Sequence, residues 1–204
     1  NMTLYAAWTE KSEQPPADDW KNPFTDVKSG DWFYANVQYA VKNGLFSGIS
    51  DTLFDPKGNL TRAMLVTVLW RAENKPQTDY LMSFDDIARG SYYEEAVRWA
   101  ASEGIVSGIT KTQFNPDGHI TREQIAAIIF RYAKYKNTVS EDLEKIQLDY
   151  ADVAEISDYA KDAVAYCKLK GIMQGRDNNR FAPKETATRA EATAVLQRFL
   201  EQDK

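Results

Sequence analysis

One cysteine and one histidine in 204 residues remove most catalytic and metal chemistry before any motif is read. Cys167 cannot form a disulfide within the chain, and no C-x-x-C or Cys/His cluster offers zinc ligands, so neither a metal site nor a cofactor is expected. General acid–base or nucleophilic catalysis needs an asymmetric constellation, and the chain does not read as an enzyme. Asp51 to Asp55 and Asp177 to Asn179 hint at calcium but miss the spacing of a calcium-binding loop. An excess of positive charge is also missing: 25 Lys and Arg stand against 30 Asp and Glu, a formal charge of −5. Nucleic acid and acidic membrane surfaces are therefore poor bulk partners, and any anion must be caught locally. No apolar run is long enough to span a membrane, so no membrane insertion is expected.

What the chain does have is repetition. Phe24-Thr-Asp26-Val27 returns as Phe84-Asp-Asp86-Ile87 and Tyr150-Ala-Asp152-Val153. Gly44-Leu-Phe-Ser-Gly48 returns as Gly104-Ile-Val-Ser-Gly108 and Gly171-Ile-Met-Gln-Gly175. Phe54-Asp-Pro56, Phe114-Asn-Pro116 and Phe181-Ala-Pro183 follow, and then a Thr-Arg pair at Arg62, Arg122 and Arg189. Gly44 to Arg62, Gly104 to Arg122 and Gly171 to Arg189 are the same step of eighteen residues, a spacing chance does not keep.

Each unit carries two helical stripes at i, i+3, i+4, i+7. The first runs through Phe33, Val37, Ala40 and Val41, then Tyr93, Val97, Ala100 and Ala101, then Ala160, Val164 and Cys167. The second runs through Leu65, Val68, Leu69 and Ala72, then Ile125, Ile128, Ile129 and Tyr132, then Ala192, Val195, Leu196 and Phe199. Gly44, Gly104 and Gly171 end the first helix. Thr61, Thr121 and Thr188 cap the second, with Gln124 and Glu191 completing a capping box that Met64 cannot. A capped, positive helix end beside an arginine favours an anion in front of it. Two short helices cannot close a core alone, but three units can by pooling their second helices. Cys167 matches Ala40 and Ala100 and reads as core; His119 matches Asn59 and Thr186 and has no recurring role.

Together these landmarks resemble the surface-layer homology (SLH) module, with its F-x-D-V opening, G-I-x-x-G turn, F-x-P and I-T-R-A-E. The resemblance covers residues 24 to about 201 in three copies. It implies a mainly α fold: three two-helix repeats in a pseudo-threefold single-chain trimer with inter-repeat grooves. It further implies that the grooves hold an anionic secondary cell wall polysaccharide, commonly through a pyruvylated, acetylated amino sugar, and so fasten a larger secreted protein to a bacterial wall or S-layer. Arg62, Arg122 and Arg189 are the implied ligand-binding arginines, with Ser47 and Gly48, Ser107 and Gly108, and Gln174 and Gly175 as the implied turns. The second copy lies nearest the family motif; Met64, Gln174 and Arg176 depart from it.

Bland readings stand beside these. The arginines could pair with Asp26, Asp86 or Asp152, the glycines could serve plain turns or let backbone approach a sugar, and Trp32, Tyr92 and Tyr159 could stack on a sugar or simply line an edge. A second recurrent arginine, at Arg71, Arg131 and Arg198, lies two and a half turns further on and reads as structural or inter-repeat. Residues 1–10 resemble the closing strand of a preceding β module and 11–23 read as a linker, so the chain is expected to continue a larger N-terminal protein. The repeats are then 24–78, 79–138 and 139–204, at an extracellular location. The rival function is a protein–protein scaffold at the cell surface.

Overall fold

Both stripes of every unit fold as helices. In the computed structural model, which describes residues 20–139 and 142–202, these are α1 (Tyr34–Lys42), α2 (Arg62–Ala72), α3 (Glu94–Ser102), α4 (Arg122–Tyr135), α5 (Lys161–Leu169) and α6 (Arg189–Leu200). Short 3₁₀ turns join them in the third unit, and among the described residues there are isolated bridges but no strand. The expected strand at 1–10 and most of the expected linker lie outside the described residues.

Local chemistry sets the helix ends. Gly44, Gly104 and Gly171 sit at φ of +65°, +67° and +64°, left-handed positions that stop the first helix of each unit. Leu45, Ile105 and Ile172 then donate their N–H back to Ala40, Ala100 and Cys167. Thr121 and Thr188 form full capping boxes with Gln124 and Glu191, while Thr61 accepts from the Met64 N–H with no side chain to answer it.

Packing occurs between units rather than within them. The α3 helix lies on α2, α5 on α4, and α1 on α6, so each first helix packs on the second helix of the preceding unit and the last unit closes back on the first. Asn36 of α1 donates to Gln197 of α6 at 2.9 Å across that closing contact. At the centre, the residues before the three Thr-Arg pairs form a ring of backbone hydrogen bonds: Leu60 donates to Ala187, Ala187 to Ile120, and Ile120 to Leu60, at 2.9, 3.2 and 3.0 Å. The second helices do meet, Tyr132 packing on Phe199 with ring centroids 5.3 Å apart, but they do not by themselves close the core. The anticipated pooling is therefore only part of the arrangement. The larger part is head-to-tail helix pairing, in which each first helix meets the second helix of a neighbouring unit.

The Phe-x-Pro elements are the anchors of those loops. Phe54, Phe114 and Phe181 are fully buried, each worth roughly 1.5–3 kcal/mol in transfer from water. Asp26 accepts from the N–H groups of Phe54 and Asp55, Asp86 from Phe114 and Asn115, and Asp152 from Phe181 and Ala182, at 2.6–2.9 Å. The opening acid of each unit thus pins its own loop.

Candidate functional site

The helix starts are not open to an anion. Arg62 and Ala63 donate their N–H groups to Gly118 and Pro116 of the next unit, Arg122 and Glu123 to Glu185 and Pro183, and Arg189 and Ala190 to Gly58 and Pro56. The capping threonine takes the third donor. This corrects the expectation of an anion seated on the helix dipole: the orphan donors of the first turn are already satisfied by neighbouring carbonyls.

The arginine side chains leave the helix and cross into the next unit. Arg62 donates Nε to the Phe114 carbonyl (2.8 Å) and Nη2 to that of Ser107 (3.0 Å). Arg122 does the same with Phe181 and Gln174 (2.8 and 2.7 Å), and Arg189 with Phe54 and Ser47 (2.9 Å each). Each guanidinium also covers the Phe ring of that loop, at 4.6, 5.2 and 4.7 Å from the centroid. The same Phe therefore takes Asp26, Asp86 or Asp152 on its N–H and the foreign arginine on its C=O.

All three arginines are buried, at 7, 5 and 5% exposure, and none pairs with a carboxylate among the described residues. Burial is the main cause that lowers each one's proton affinity, with nearby Arg131 adding to it at Arg62 and Arg176 at Arg122. A guanidinium nonetheless stays charged. Among the described residues, Nη1 of Arg62 and of Arg122 has no hydrogen-bond acceptor and is reached by solvent, and Nη1 of Arg189 lies 3.8 Å from the Met64 sulfur. The bland ion-pair reading is thereby replaced by a buried cation held on carbonyls with one edge unfilled.

Two of these edges open into grooves. The Arg62 groove, of about 390 Å³, is lined by Ser107, Gly108, Ile109, Gln124, Arg131 and Tyr159. The Arg189 groove, of about 340 Å³, is lined by Ser47, Gly48, Ile49, Met64, Arg71 and Tyr92. Each draws on all three units: the turn and second helix of one, the arginine of the unit before it in the ring, and the aromatic of the unit after. Tyr92 and Tyr159 are 57 and 55% exposed at these rims. At the third position Arg122 rests on the Gln174 carbonyl, next to Gly175, and the cleft that holds Trp32 is lined instead by Arg176, Lys184, Glu185 and Glu191.

The structural reading of the second arginine holds where Arg71 and Arg198 donate to the Leu45 and Ile172 carbonyls, at 2.9 and 3.3 Å. Arg71 and Arg131 also line the grooves, although they lie well along their helices. The reasoning that they point away from their own Thr-Arg start is right, but that start serves a different groove, so α2 gives Arg62 to one and Arg71 to another. The glycines are dictated from inside: a Cβ on Gly48 would strike the carbonyls of Ser50 and Leu53, and one on Gly108 those of Thr110 and Gln113. Gly175 is less crowded, its nearest neighbour being the Arg180 carbonyl at 3.0 Å. The Ser47, Ser107 and Gln174 positions hold the arginine through their carbonyls, which explains why a glutamine can replace serine.

Glu123 was not singled out by its sequence. It is 4% exposed, and its carboxylate accepts from the Ser157 N–H and hydroxyl, the Tyr159 hydroxyl and the Lys184 ammonium. The Tyr159 ring stands in the Arg62 groove while its hydroxyl is tucked onto Glu123; burial, and then that carboxylate, push the phenol up to about 12. The equivalent positions are Ala63 and Ala190, so no repeat pattern could flag it.

Comparison with known proteins agrees with this architecture. The family model for the S-layer homology domain matches residues 23–63, 83–126 and 149–193. The chain is 33% identical over 189 residues to an amylopullulanase of Thermoanaerobacterium thermosulfurigenes, covering 92% of this chain and 10% of that protein. It is 27% identical over 202 residues to the S-layer protein of Bacillus thuringiensis subsp. finitimus (95% and 23%) and 25% identical over 159 residues to a cellulosome-anchoring protein of Acetivibrio thermocellus (76% and 35%). The chain spans a small part of each relative. With three matched repeats and a ring of head-to-tail helix pairs, the chain belongs to the S-layer homology family, as three tandem repeats of a bacterial cell-surface anchoring module.

Proposed function

We propose that this chain anchors a larger secreted protein to the bacterial cell wall by holding an anionic secondary cell wall polysaccharide in its inter-repeat grooves, through a pyruvylated, acetylated amino sugar. The observation that carries the reading is a buried guanidinium with no carboxylate at ion-pair distance among the described residues. Burying a charge is costly unless it is paired, and carbonyls satisfy only part of Arg62 and Arg189. A carboxylate entering the groove completes the arginine, with Arg131 or Arg71 as a second cation on the same wall. Tyr159 or Tyr92 offers a ring face for the sugar.

The reading is one of binding without bond breaking. Enzymatic names among the relatives belong to whole proteins of which this chain aligns with a minor share. Cosedimentation with wall sacculi, before and after chemical extraction of their non-peptidoglycan polymer, tests it. Binding is expected to vanish with the extracted polymer, and Arg131→Gln, at a side chain with no hydrogen bond among the described residues, is expected to weaken the Arg62 groove about tenfold or more. Undiminished binding to extracted sacculi would support the rival reading of a protein scaffold.

A further inference from the structure

The three ligand positions are not equivalent, and the reason is two substitutions that meet each other. Where the first two turns end in Ile49 and Ile109, the third has Arg176; where the second helices carry Met64 and Gln124 on their first turn, the third has Glu191. Arg176 Nη2 pairs with Glu191 Oε1 at 2.7 Å, and its Nε lies 3.3 Å from Glu185. The other Glu191 oxygen accepts from the Thr188 N–H at 2.8 Å, so the capping box fixes the carboxylate that the arginine grips.

We propose that this ion pair latches the Arg122 position shut, so that only the Arg62 and Arg189 grooves accept an acidic sugar. The proposal rests on the acidic-sugar reading above and adds which sites work. An incoming carboxylate at Arg122 meets Glu191, a like charge held in place, and must displace it from Arg176. At the other two positions the same places hold Gln124 and Ile109, or Met64 and Ile49, none of them charged. The cleft around Trp32 is lined by Arg176 and Glu191 but not by Arg122. A half-exposed pair adds little to fold stability; here it only has to compete for a guanidinium against a ligand carrying the same charge as Glu191.

Calorimetric titration with the methyl glycoside of a pyruvylated N-acetylhexosamine tests this in the wild type, Arg176→Ile and Glu191→Gln. Isoleucine is the residue of the first two units, and glutamine keeps the capping box, as Gln124 shows, so both variants are expected to fold. The expected result is two sites per chain in the wild type, with any third at least tenfold weaker, and three in either variant. Three equal sites in the wild type, or two remaining in both variants, overturns the latch and leaves the acidic-sugar reading intact. No saturable site in any of the three proteins overturns that reading and the latch with it.

Discussion

Arg189 donates Nη2 to the carbonyl of Ser47, 142 positions earlier in the chain, at 2.9 Å. With the Nε bond to Phe54 it ties the last long helix to the first turn, and it is the same contact that Arg62 and Arg122 make at the other two junctions of the ring. The arginine proposed to meet a ligand is therefore also the bolt that closes the ring.

Removing that bolt should cost stability beyond any loss of binding. Arg189→Ala gives up two charge-assisted bonds to carbonyls, at roughly 1.5–3 kcal/mol each, so urea unfolding is expected to show a loss of about 3 kcal/mol or more. Arg189→Lys should rescue little, because an ammonium cannot reach both carbonyls with the planar fork that Nε and Nη2 provide. Wild-type stability in either variant would mean that the closing contact is incidental.

Glycine tolerance should differ between the turns. Gly108→Ala places a methyl group against the carbonyls of Thr110 and Gln113 and the Phe84 ring, an overpacking expected to destabilise by about 1–3 kcal/mol. Gly175→Ala meets its nearest neighbours at 3.0 and 3.3 Å and should be milder. Melting temperatures of the two variants give the ranking, and the reverse order would contradict the packing reason given for these glycines.

Glu123 should contribute an acid-sensitive part of the stability. Burial alone would raise its pKa, but hydrogen bonds from Lys184 and Ser157 outweigh it and hold the carboxyl below its usual value of 4.5. A depressed carboxylate stabilises the fold above the unfolded pKa and loses that contribution as pH falls through the folded one. Unfolding free energies followed from neutral pH to below pH 4.5 should therefore fall less steeply for Glu123→Gln than for the wild type. The same variant should bring the Tyr159 phenol, now near 12, to a lower titration point in an ultraviolet pH scan.

Cys167 should be silent until the protein unfolds. It is fully buried, and burial pushes its thiol up to about 12, so almost no thiolate exists to react at neutral pH. A disulfide reagent such as Ellman's is expected to label none of the native protein and one thiol per chain in denaturant. Rapid native labelling would show that α5 opens from α4 far more readily than this packing allows.

Much of this was written locally. The eighteen-residue step from glycine to arginine, the two stripes per unit, the stop at Gly44 and the box at Thr121 each depend on residues within a few turns of one another, and each is found as read. The burial of Cys167 followed from its alignment with Ala40 and Ala100. Repetition carried the rest of the fold class, because a unit that recurs three times with a half-apolar helix must find its partner in another copy.

The tertiary structure alone decided which copy meets which. Nothing in a repeat says whether its arginine serves its own turn or the next, since identical units make identical local offers; only closure of the ring sends Arg62 to Ser107 and Arg189 to Ser47. That same step moved Arg71 and Arg131 into the grooves, satisfied the helix starts with foreign carbonyls, and brought Glu123 to Ser157 and Lys184 from another unit. Short-range spacing fixes what each helix is, whereas a buried cation finds its acceptors through contacts that are distant in the chain, and those exist only once three units have packed together.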